Sequence, residues 1–544
     1  MCSGKQEPEI KKNRTYEIWE VLEKFGKYQI LQYIFICVPT LFITMGNINY
    51  VFVVGDVDYR CKVPECDGTN TSMQVDWWPN KTIDRCLKPV LKTTIGDQEE
   101  CTADSFGDDL EECKEWIYEG LTTVVSELDL ACKPWYINSV GTVHNLGMLI
   151  SMIITGWMSD KFGRKYTLLF CMVSCAVGVF KVFAKTYPTY IFIEFLEAFL
   201  GGGSYSSATV LMIEITGRKQ RILSGVLFAY AIYMGEAMFA VIAMLIPYWK
   251  TLVAVTYVPI LFSIFMLCFM KESPRWLVLN GKTDEAIKNL KDIAESNNMN
   301  INTEHLSQID AKKLREMFNI QNYTKQESFV DVLRSREMLK RITVASFCRF
   351  TSNFVYYGIM INSVFLPGDK YTNFLLSTVM SFPGELISLY LMNKIGRKMP
   401  LVVGFIFCGG LCVVSAFVPD NVAWAKVLLF LFAKVVMSAC FTGAVTYCLE
   451  LFPTSARGLL LGMCAFSARL GGMLAPLTPI LNEVSNILPA LCFGASAAIT
   501  GALITLTPET KHMPLLDTVE QVEASVRSPE KNPNLNNGKS ETKL

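Results

Sequence analysis

Long apolar segments separated by short polar links dominate the pattern of this chain. A membrane-spanning helix needs about 20 mostly apolar residues, and twelve segments meet that requirement. Six precede a polar stretch at 271–341 and six follow it. The predicted helices 1 to 12 lie near 28–54, 137–158, 166–184, 188–211, 222–245, 251–270, 342–364, 372–392, 400–418, 424–449, 458–481 and 487–507. The pattern therefore predicts an all-α membrane protein with two six-helix bundles.

Composition narrows the class of protein. With 51% hydrophobic and only 18% charged residues, the chain is too apolar for a soluble protein of this length. Its 50 basic residues are balanced by 50 acidic ones, which argues against a nucleic-acid partner. The three histidines show no metal-ligand spacing. We therefore expect no metal, no cofactor and no enzymatic step, with membrane lipid around the helices.

Basic residues predict the orientation. They cluster after predicted helices 2, 4, 8 and 10, as in Lys161, Arg164 and Lys165. Cytoplasmic links carry the excess of Lys and Arg, so both termini are predicted to be cytoplasmic. The predicted regions are a cytoplasmic N-terminus without a cleavable signal (1–27), an N-terminal bundle with an external loop at 55–136 (28–270), a cytoplasmic linker with short helices at 284–294 and 311–318 (271–341), a C-terminal bundle (342–507) and a largely disordered cytoplasmic tail (508–544).

The predicted external loop holds six cysteines, Cys61, Cys66, Cys86, Cys101, Cys113 and Cys132. An even number in an oxidising compartment predicts a disulfide framework, although the pairing stays open. Two sequons, at Asn70 and Asn80, lie in the same loop and predict glycosylation.

A basic turn occurs twice. Gly156–Lys165, which contains Asp160 and Arg164, links predicted helices 2 and 3, and Asn393–Lys398, which contains Arg397, links helices 8 and 9. The acidic and basic residues that follow helices 4 and 10 also repeat, as Glu214 with Arg221 and Glu450 with Arg457. We interpret these charges as pairs that close a cytoplasmic gate. Two related halves are typical of secondary transporters.

With Glu272–Leu277, Glu450–Thr454 and Pro508–Lys511 added to the repeated turn, the chain resembles the major facilitator superfamily. The six-cysteine loop makes it similar to the organic cation, anion and zwitterion transporters of animals. The resemblance implies a plasma-membrane transporter, with two bundles around a central cavity, alternating access by rocking, and a small organic ion as substrate.

A charge within a membrane helix normally faces a cavity or a partner. Among the charged residues in the predicted helices, six are candidates for the site or its surroundings: Glu194, Glu197, Glu236, Glu385, Lys434 and Arg469. In the resembled family, cation carriers tend to have an aspartate at the position of Arg469, whereas carriers of anions or zwitterions have an arginine. Anion carriers tend to have a lysine near Glu385. The two residues together suit a zwitterion, and Glu385 alone suits a cation. The alternative for Arg469 is an internal ion pair.

Helix 4 departs from the superfamily pattern of an arginine followed by a glycine, since Glu194 and Ala198 stand there. Glu194 and Glu197 are interpreted as proton-sensitive acids or as structural ones, and Lys434 as structural rather than substrate-binding.

Aromatic residues complete the predicted site. Tyr356 and Tyr357 match a family motif whose tyrosines line the cavity. Rings on other helices are predicted to reach the centre, where they could contact a cation: Tyr205, Tyr230, Tyr233, Phe374 and Tyr447. The predicted function is transport of a zwitterion or an organic cation. The alternatives are an organic anion transporter that uses Arg469, and a non-transporting receptor on the same fold.

Overall fold

The computed structural model describes residues 20–67, 72–78, 85–92, 101–120, 122–217, 221–299, 314–315, 332, 334–453, 455–485, 487–511 and 519–527. The chain divides into two compact units, Met1–Ile320 (unit 1) and Gln321–Leu544 (unit 2).

Unit 1 contains six long helical segments. In chain order they are α1 (Lys27–Ile48), α2 (Pro134–Phe162), α3 (Arg164–Cys175, continued by a 3-10 segment at Ala176–Phe183), α4 (Tyr187–Gly201 and Ser204–Ile215), α5 (Arg221–Leu245) and α6 (Trp249–Cys268). Helix α2 packs on α4, and α1 packs on α5 and α6.

Unit 2 repeats this arrangement with six further segments. They are α7 (Arg336–Asn362), α8 (Lys370–Val379 and Ser381–Lys394), α9 (Lys398–Ala416), α10 (Ala423–Leu451), α11 (Arg457–Leu474, extended by Thr478–Val484) and α12 (Leu488–Ile504). Helix α7 packs on α11, and α9 packs on α10 and α12.

Each of the twelve predicted segments falls on one of these helices. Among the described residues, eight helices are long and apolar enough to cross a membrane, and Trp249–Phe262 and Leu488–Ile504 are shorter apolar helices. Two predicted spans fall outside both groups, because α4 is interrupted after Gly201 and α7 carries polar side chains that include Arg341 and Arg349. Large side chains such as Phe262 stay exposed, which is typical of a surface that faces lipid.

Three disulfides cross-link the loop after α1, which confirms the predicted framework: Cys61–Cys113, Cys66–Cys101 and Cys86–Cys132. Strand β1 (Tyr59–Cys61) pairs antiparallel with β4 (Trp116–Tyr118), and β2 (Leu87–Leu91) pairs with β3 (Phe106–Glu112). We call the segment from β1 to Cys132 the disulfide domain. Asn70 and Asn80 lie outside the described residues.

The disulfide domain is tied to the start of α6. Glu127 lies at the end of the short helix Val124–Glu127. Its carboxylate accepts a hydrogen bond from Trp249 Nε1 at 2.7 Å and forms an ion pair with Lys250. The backbone N–H of Trp249 also donates to the carbonyl of Thr122 at 2.9 Å. The last part of this domain is therefore bound to a spanning helix as well as to its own disulfides.

Helix Thr283–Ser296 covers the first predicted linker helix, and Ala286, Leu290 and Ile293 on one face are buried. Of the second, at 311–318, only 314–315 is described. Within the predicted tail, a helix runs from Val519 to Arg527, and Val522 on that helix is buried. The prediction for the rest of the tail stays a prediction.

Candidate functional site

The first basic turn is held together by two acids from later helices. Arg164 Nε lies 3.2 Å from Glu214 Oε2, and its Nη1 lies 3.1 Å from Asp160 Oδ1. The backbone N–H groups of Arg164 and Lys165 donate to the carboxylate of Glu272, which follows α6. One turn therefore joins neighbouring ends of α2, α3, α4 and α6 through charge-assisted hydrogen bonds.

The second basic turn reproduces this network in unit 2. Arg397 binds Glu450 at 2.9 to 3.2 Å, and the N–H groups of Arg397 and Lys398 donate to Glu509 at 2.8 and 2.9 Å. Each arginine also donates to the carbonyl five residues earlier, at 2.8 Å in both turns. The repeat seen in the sequence is thus a repeat of contacts.

The acids of the predicted gate pairs have arginine partners in the structure, but these are the arginines of the basic turns. Glu214 and Glu450 bind the arginines of the two turns. Arg457 donates to the carbonyl of Phe452 at 3.0 and 3.3 Å, and the side chain of Arg221 lies outside the described part of the chain. Pairing of each acid with the cation seven residues later stays a prediction.

Four ionisable side chains meet between the helices of unit 1, and we call them the N-terminal charge cluster: His144, Lys181, Glu194 and Glu197. Lys181 Nζ lies 2.6 Å from Glu194 Oε2 and 2.5 Å from Glu197 Oε2, and His144 Nδ1 lies 2.7 Å from Glu194 Oε1. All four side chains are at most 1% exposed. The two predicted acids therefore share one buried lysine.

Neighbouring polar groups complete the contacts of this cluster. The hydroxyl of Tyr257 on α6 donates to Glu197 Oε1 at 2.6 Å and accepts from Lys181 at 2.9 Å. The amide of Asn49, just after α1, also donates to that hydroxyl. Cys175 Sγ on α3 lies 3.8 Å from Glu197 Oε1. Five helical regions of unit 1 thus converge on a buried ionic site.

Sequence reasoning missed Lys181 and His144. A signal was present, because Glu194 and Glu197 lie on one face of a membrane helix and two buried carboxylates require cations. Lys181 and His144 are the titratable cations inside the apolar segments 166–184 and 137–158.

In unit 2 the predicted acid Glu385 is 1% exposed on α8. Its Oε2 accepts a hydrogen bond from the hydroxyl of Thr442 on α10 at 2.5 Å. This contact fixes the orientation of a carboxylate between two helices.

Lys434 lies on α10 in the same unit and is fully buried. Its Nζ is 3.3 Å from the ring centroid of Tyr356, which also packs at 4.9 Å from the ring of Phe441. The two rings of Tyr356 and Tyr357 meet edge to face at 5.4 Å. A cation–π contact therefore already exists at one of the predicted tyrosines.

The other predicted residues are spread over both units. Tyr205 is half-buried and donates to Thr44 at 2.9 Å, and the rings of Tyr230 and Tyr233 lie 6.5 Å apart. Tyr447 is buried and donates to Thr507 and to the carbonyl of Pro508, contacts at the end of α12. The remaining ones are buried Glu236, buried Phe374 and partly exposed Arg469.

A metal role has no support in the described residues, where no group of three His, Cys, Asp or Glu could hold an ion.

Comparison with known families decides the class. The model of the family described as "Sugar (and other) transporter" matches residues 96–521. The chain belongs to this transporter family. The transporter is similar to solute carrier family 22 member 6-A of Xenopus laevis, with 28% identity over 95% of the chain and 96% of the relative. It is also 28% identical to the organic cation transporter protein of Drosophila melanogaster, over 93% and 94%. These relatives confirm the resemblance drawn from the motifs.

Solved structures confirm the predicted fold of the transporter. The xylose transporter XylE from E. coli, in a partially occluded inward-open conformation, matches with a TM-score of 0.63 and 14% identity over 90% of this chain and 100% of that one. A second, inward-open XylE structure matches with a TM-score of 0.57 over 74% and 93%. The major facilitator fold is therefore established, and this chain is a multi-pass membrane transporter rather than an enzyme.

Proposed function

We propose that this chain carries small organic cations or zwitterions across the plasma membrane by alternating access, with both termini in the cytoplasm. The transporter family and the organic cation transporters among its relatives support the class of activity. The basic turns after α2 and α8 support the orientation.

The proposed positive charge of the substrate rests on one observation. Glu385 is buried in the middle of a spanning helix, and a neutral hydroxyl orients its carboxylate. A charge at membrane depth costs about 2.5 kcal/mol or more, and such residues typically mark a substrate or ion pathway. An ammonium group of the substrate is the partner that we assign to Glu385.

The surroundings of Glu385 fit the rest of such a substrate. Lys434 shows that the face of Tyr356 accepts an ammonium group, and Phe441 adds a second ring. Arg469 on α11 of the same unit would bind the carboxylate of a zwitterion, since a guanidinium holds a carboxylate with two parallel hydrogen bonds.

The test is uptake of three radiolabelled probes by cells that express the chain: a quaternary ammonium ion, a carnitine-type zwitterion and an aromatic carboxylate. We expect uptake of the first two. Glu385→Gln should reduce uptake of both about tenfold or more, the effect of losing about 1.4 kcal/mol of binding. Arg469→Ala should reduce uptake of the zwitterion alone.

Surface labelling must show equal amounts of each variant, and Glu520→Gln, at an exposed acid of the same unit, serves as the matched control. Uptake of the aromatic carboxylate alone would contradict the proposal and favour an anion site at Arg469. Unchanged uptake in Glu385→Gln would remove this acid from the site.

A further inference from the structure

The N-terminal charge cluster does not balance its own charge. Lys181 faces two carboxylates, Glu194 and Glu197, and all three side chains are fully buried. With a neutral His144 the cluster carries one excess negative charge. Since an uncompensated buried charge is strongly unfavourable, a site that accepts one proton would stabilise the cluster.

Glu197 is a poor place for that proton. Its carboxylate already accepts from Lys181, from the hydroxyl of Tyr257 and, at longer range, from the thiol of Cys175. Since both oxygens of Glu197 already have a donor, a further proton there would displace one of these contacts. Tyr190, one turn before Glu194 on the same helix, is a phenol, and phenols ordinarily keep their proton at neutral pH, so it does not supply the missing positive charge.

His144 is the group that can take the proton. Its Nδ1 lies 2.7 Å from Glu194 Oε1, so a neutral ring that donates Nδ1–H to the carboxylate leaves the lone pair of Nε2 open. Nε2 is buried, and no polar atom of the described residues lies within hydrogen-bond distance of it. The ring of Tyr50, 5.8 Å away, covers one side of the imidazole.

We propose that His144, held by Glu194, is a proton-binding site that makes transport by this chain depend on pH. Binding of H⁺ at Nε2 forms an imidazolium ion, Glu194 stays a carboxylate, and the charge of the cluster falls from minus one to zero. The site lies in unit 1, whereas the substrate residues proposed above lie in unit 2. The pH dependence of transport rests on the proposed function, but the proton site itself does not.

The proton site is tested without substrate. The chain has three histidines, so His305→Gln/His512→Gln, at two positions in polar segments, leaves His144 as the sole histidine. This protein, purified with a histidine-free tag in lipid and labelled with ¹⁵N in the ring, is examined by solid-state NMR at about pH 8 and about pH 5, between which an ordinary histidine changes charge.

We expect a neutral ring protonated at Nδ1 at the higher pH and an imidazolium ion at the lower one. The same protonation at both pH values, or a neutral ring protonated at Nε2, would overturn the proposal. In Glu194→Gln the cluster holds one lysine and one carboxylate, so His144 should stay neutral at both pH values; retained titration in the folded variant would also overturn it.

Uptake by the wild type at the same two pH values tests the coupling. We expect a several-fold difference that falls to about one in His144→Gln and persists in His305→Gln, the matched histidine control. Uptake that is independent of pH, together with a titrating His144, would overturn the coupling. Absence of uptake of every probe by the wild type would overturn the proposed function instead, and the NMR titration would then decide the proton site alone.

Discussion

Arg164 in unit 1 and Arg397 in unit 2 have equivalent partners: a glutamate near the end of α4 or α10, a second glutamate beyond the sixth helix of the unit, and the carbonyl five residues earlier. The charges buried between the helices do not repeat. Unit 1 contains a dense ionic cluster around Lys181, whereas unit 2 places Glu385 against a hydroxyl and Lys434 against a ring. The two units therefore share the contacts of their basic turns but differ in the charged groups buried between their helices.

The largest loss of stability is expected when Lys181 of the N-terminal charge cluster is replaced. Lys181→Met leaves Glu194 and Glu197 buried without their ammonium group and should reduce the free energy of unfolding by about 3–5 kcal/mol. Lys434→Met removes an ammonium group that lies over the ring of Tyr356 and donates to its carbonyl at 3.5 Å, and we expect a smaller loss than for Lys181→Met. Thermal unfolding of the detergent-purified proteins, followed by size-exclusion chromatography, measures both.

Equal losses in these two variants would contradict the difference between the interiors. Lys181→Met/Glu197→Gln should recover part of the loss, because it removes one of the two carboxylates that repel each other.

Breaking the contacts of the basic turns should give the next largest effect. Arg164→Ala leaves Glu214 with a side chain only 10% exposed, and Arg397→Ala leaves Glu450 at 26%. We expect losses of about 3 kcal/mol in unit 1 and less in unit 2, because the desolvation cost of an unpaired charge grows with burial. Surface expression and thermal unfolding would show both.

Lys161→Ala and Lys394→Ala are the matched controls, since these lysines occupy equivalent exposed positions in the two turns. A loss in Arg397→Ala that exceeds the loss in Arg164→Ala would show that the turns are not equivalent.

A smaller effect is expected from the glycine of each turn. Gly163 and Gly396 have φ of +108° and +146°, a region that side chains rarely adopt. A Cβ would also lie 2.4 Å from Glu272 Oε2 and 2.7 Å from Glu509 Oε2. Gly163→Ala and Gly396→Ala should each cost about 1–2 kcal/mol. Gly156→Ala, where a Cβ meets no atom within 4 Å, should cost nothing in the same unfolding assay, and a similar loss there would contradict this explanation.

The smallest effect separates the two turns by pH. Burial raises the pKa of Glu272 above its ordinary value although three backbone N–H groups donate to it. Burial alone would also raise the pKa of Glu509. Backbone N–H donors, which include that of Arg397, outweigh burial and lower this pKa below its ordinary value. An acid with a raised pKa stabilises the fold when protonated and loses that contribution as the pH rises. An acid with a lowered pKa stabilises the fold when it is ionised, at pH values above its ordinary pKa, and loses that contribution in acid.

Glu272→Gln should therefore raise the melting temperature at neutral pH, with a gain that disappears in acid. Glu509→Gln should lower it at neutral pH, with a deficit that disappears in acid. Each difference corresponds to about 1 kcal/mol or less. Melting-temperature shifts of the same sign in both variants at neutral pH would contradict the opposite pKa shifts of Glu272 and Glu509.

The sequence was sufficient for the helices and the turns because both depend on local signals. Runs of apolar residues mark the spans, and Arg164 and Arg397 stand in recognisable motifs. The disulfide pairing could not be predicted, since six cysteines in one loop are compatible with many pairings. The partners of Glu194 and Glu197 were missed because Lys181 and His144 approach them only through the packing of α2 and α3 on α4. Roles for Glu385 and Arg469 rest on residue type and depth, and uptake experiments must decide them.

The link between the disulfide domain and α6 has a practical consequence. Since Glu127 binds both Trp249 and Lys250 at the first turn of that helix, the end of the domain cannot move far without pulling the helix with it. A fluorophore or an antibody fragment placed near Glu127 would therefore act as a reporter of unit 1. Conformational cycling could then be followed from outside the helices without labelling any residue that we propose to bind substrate or protons.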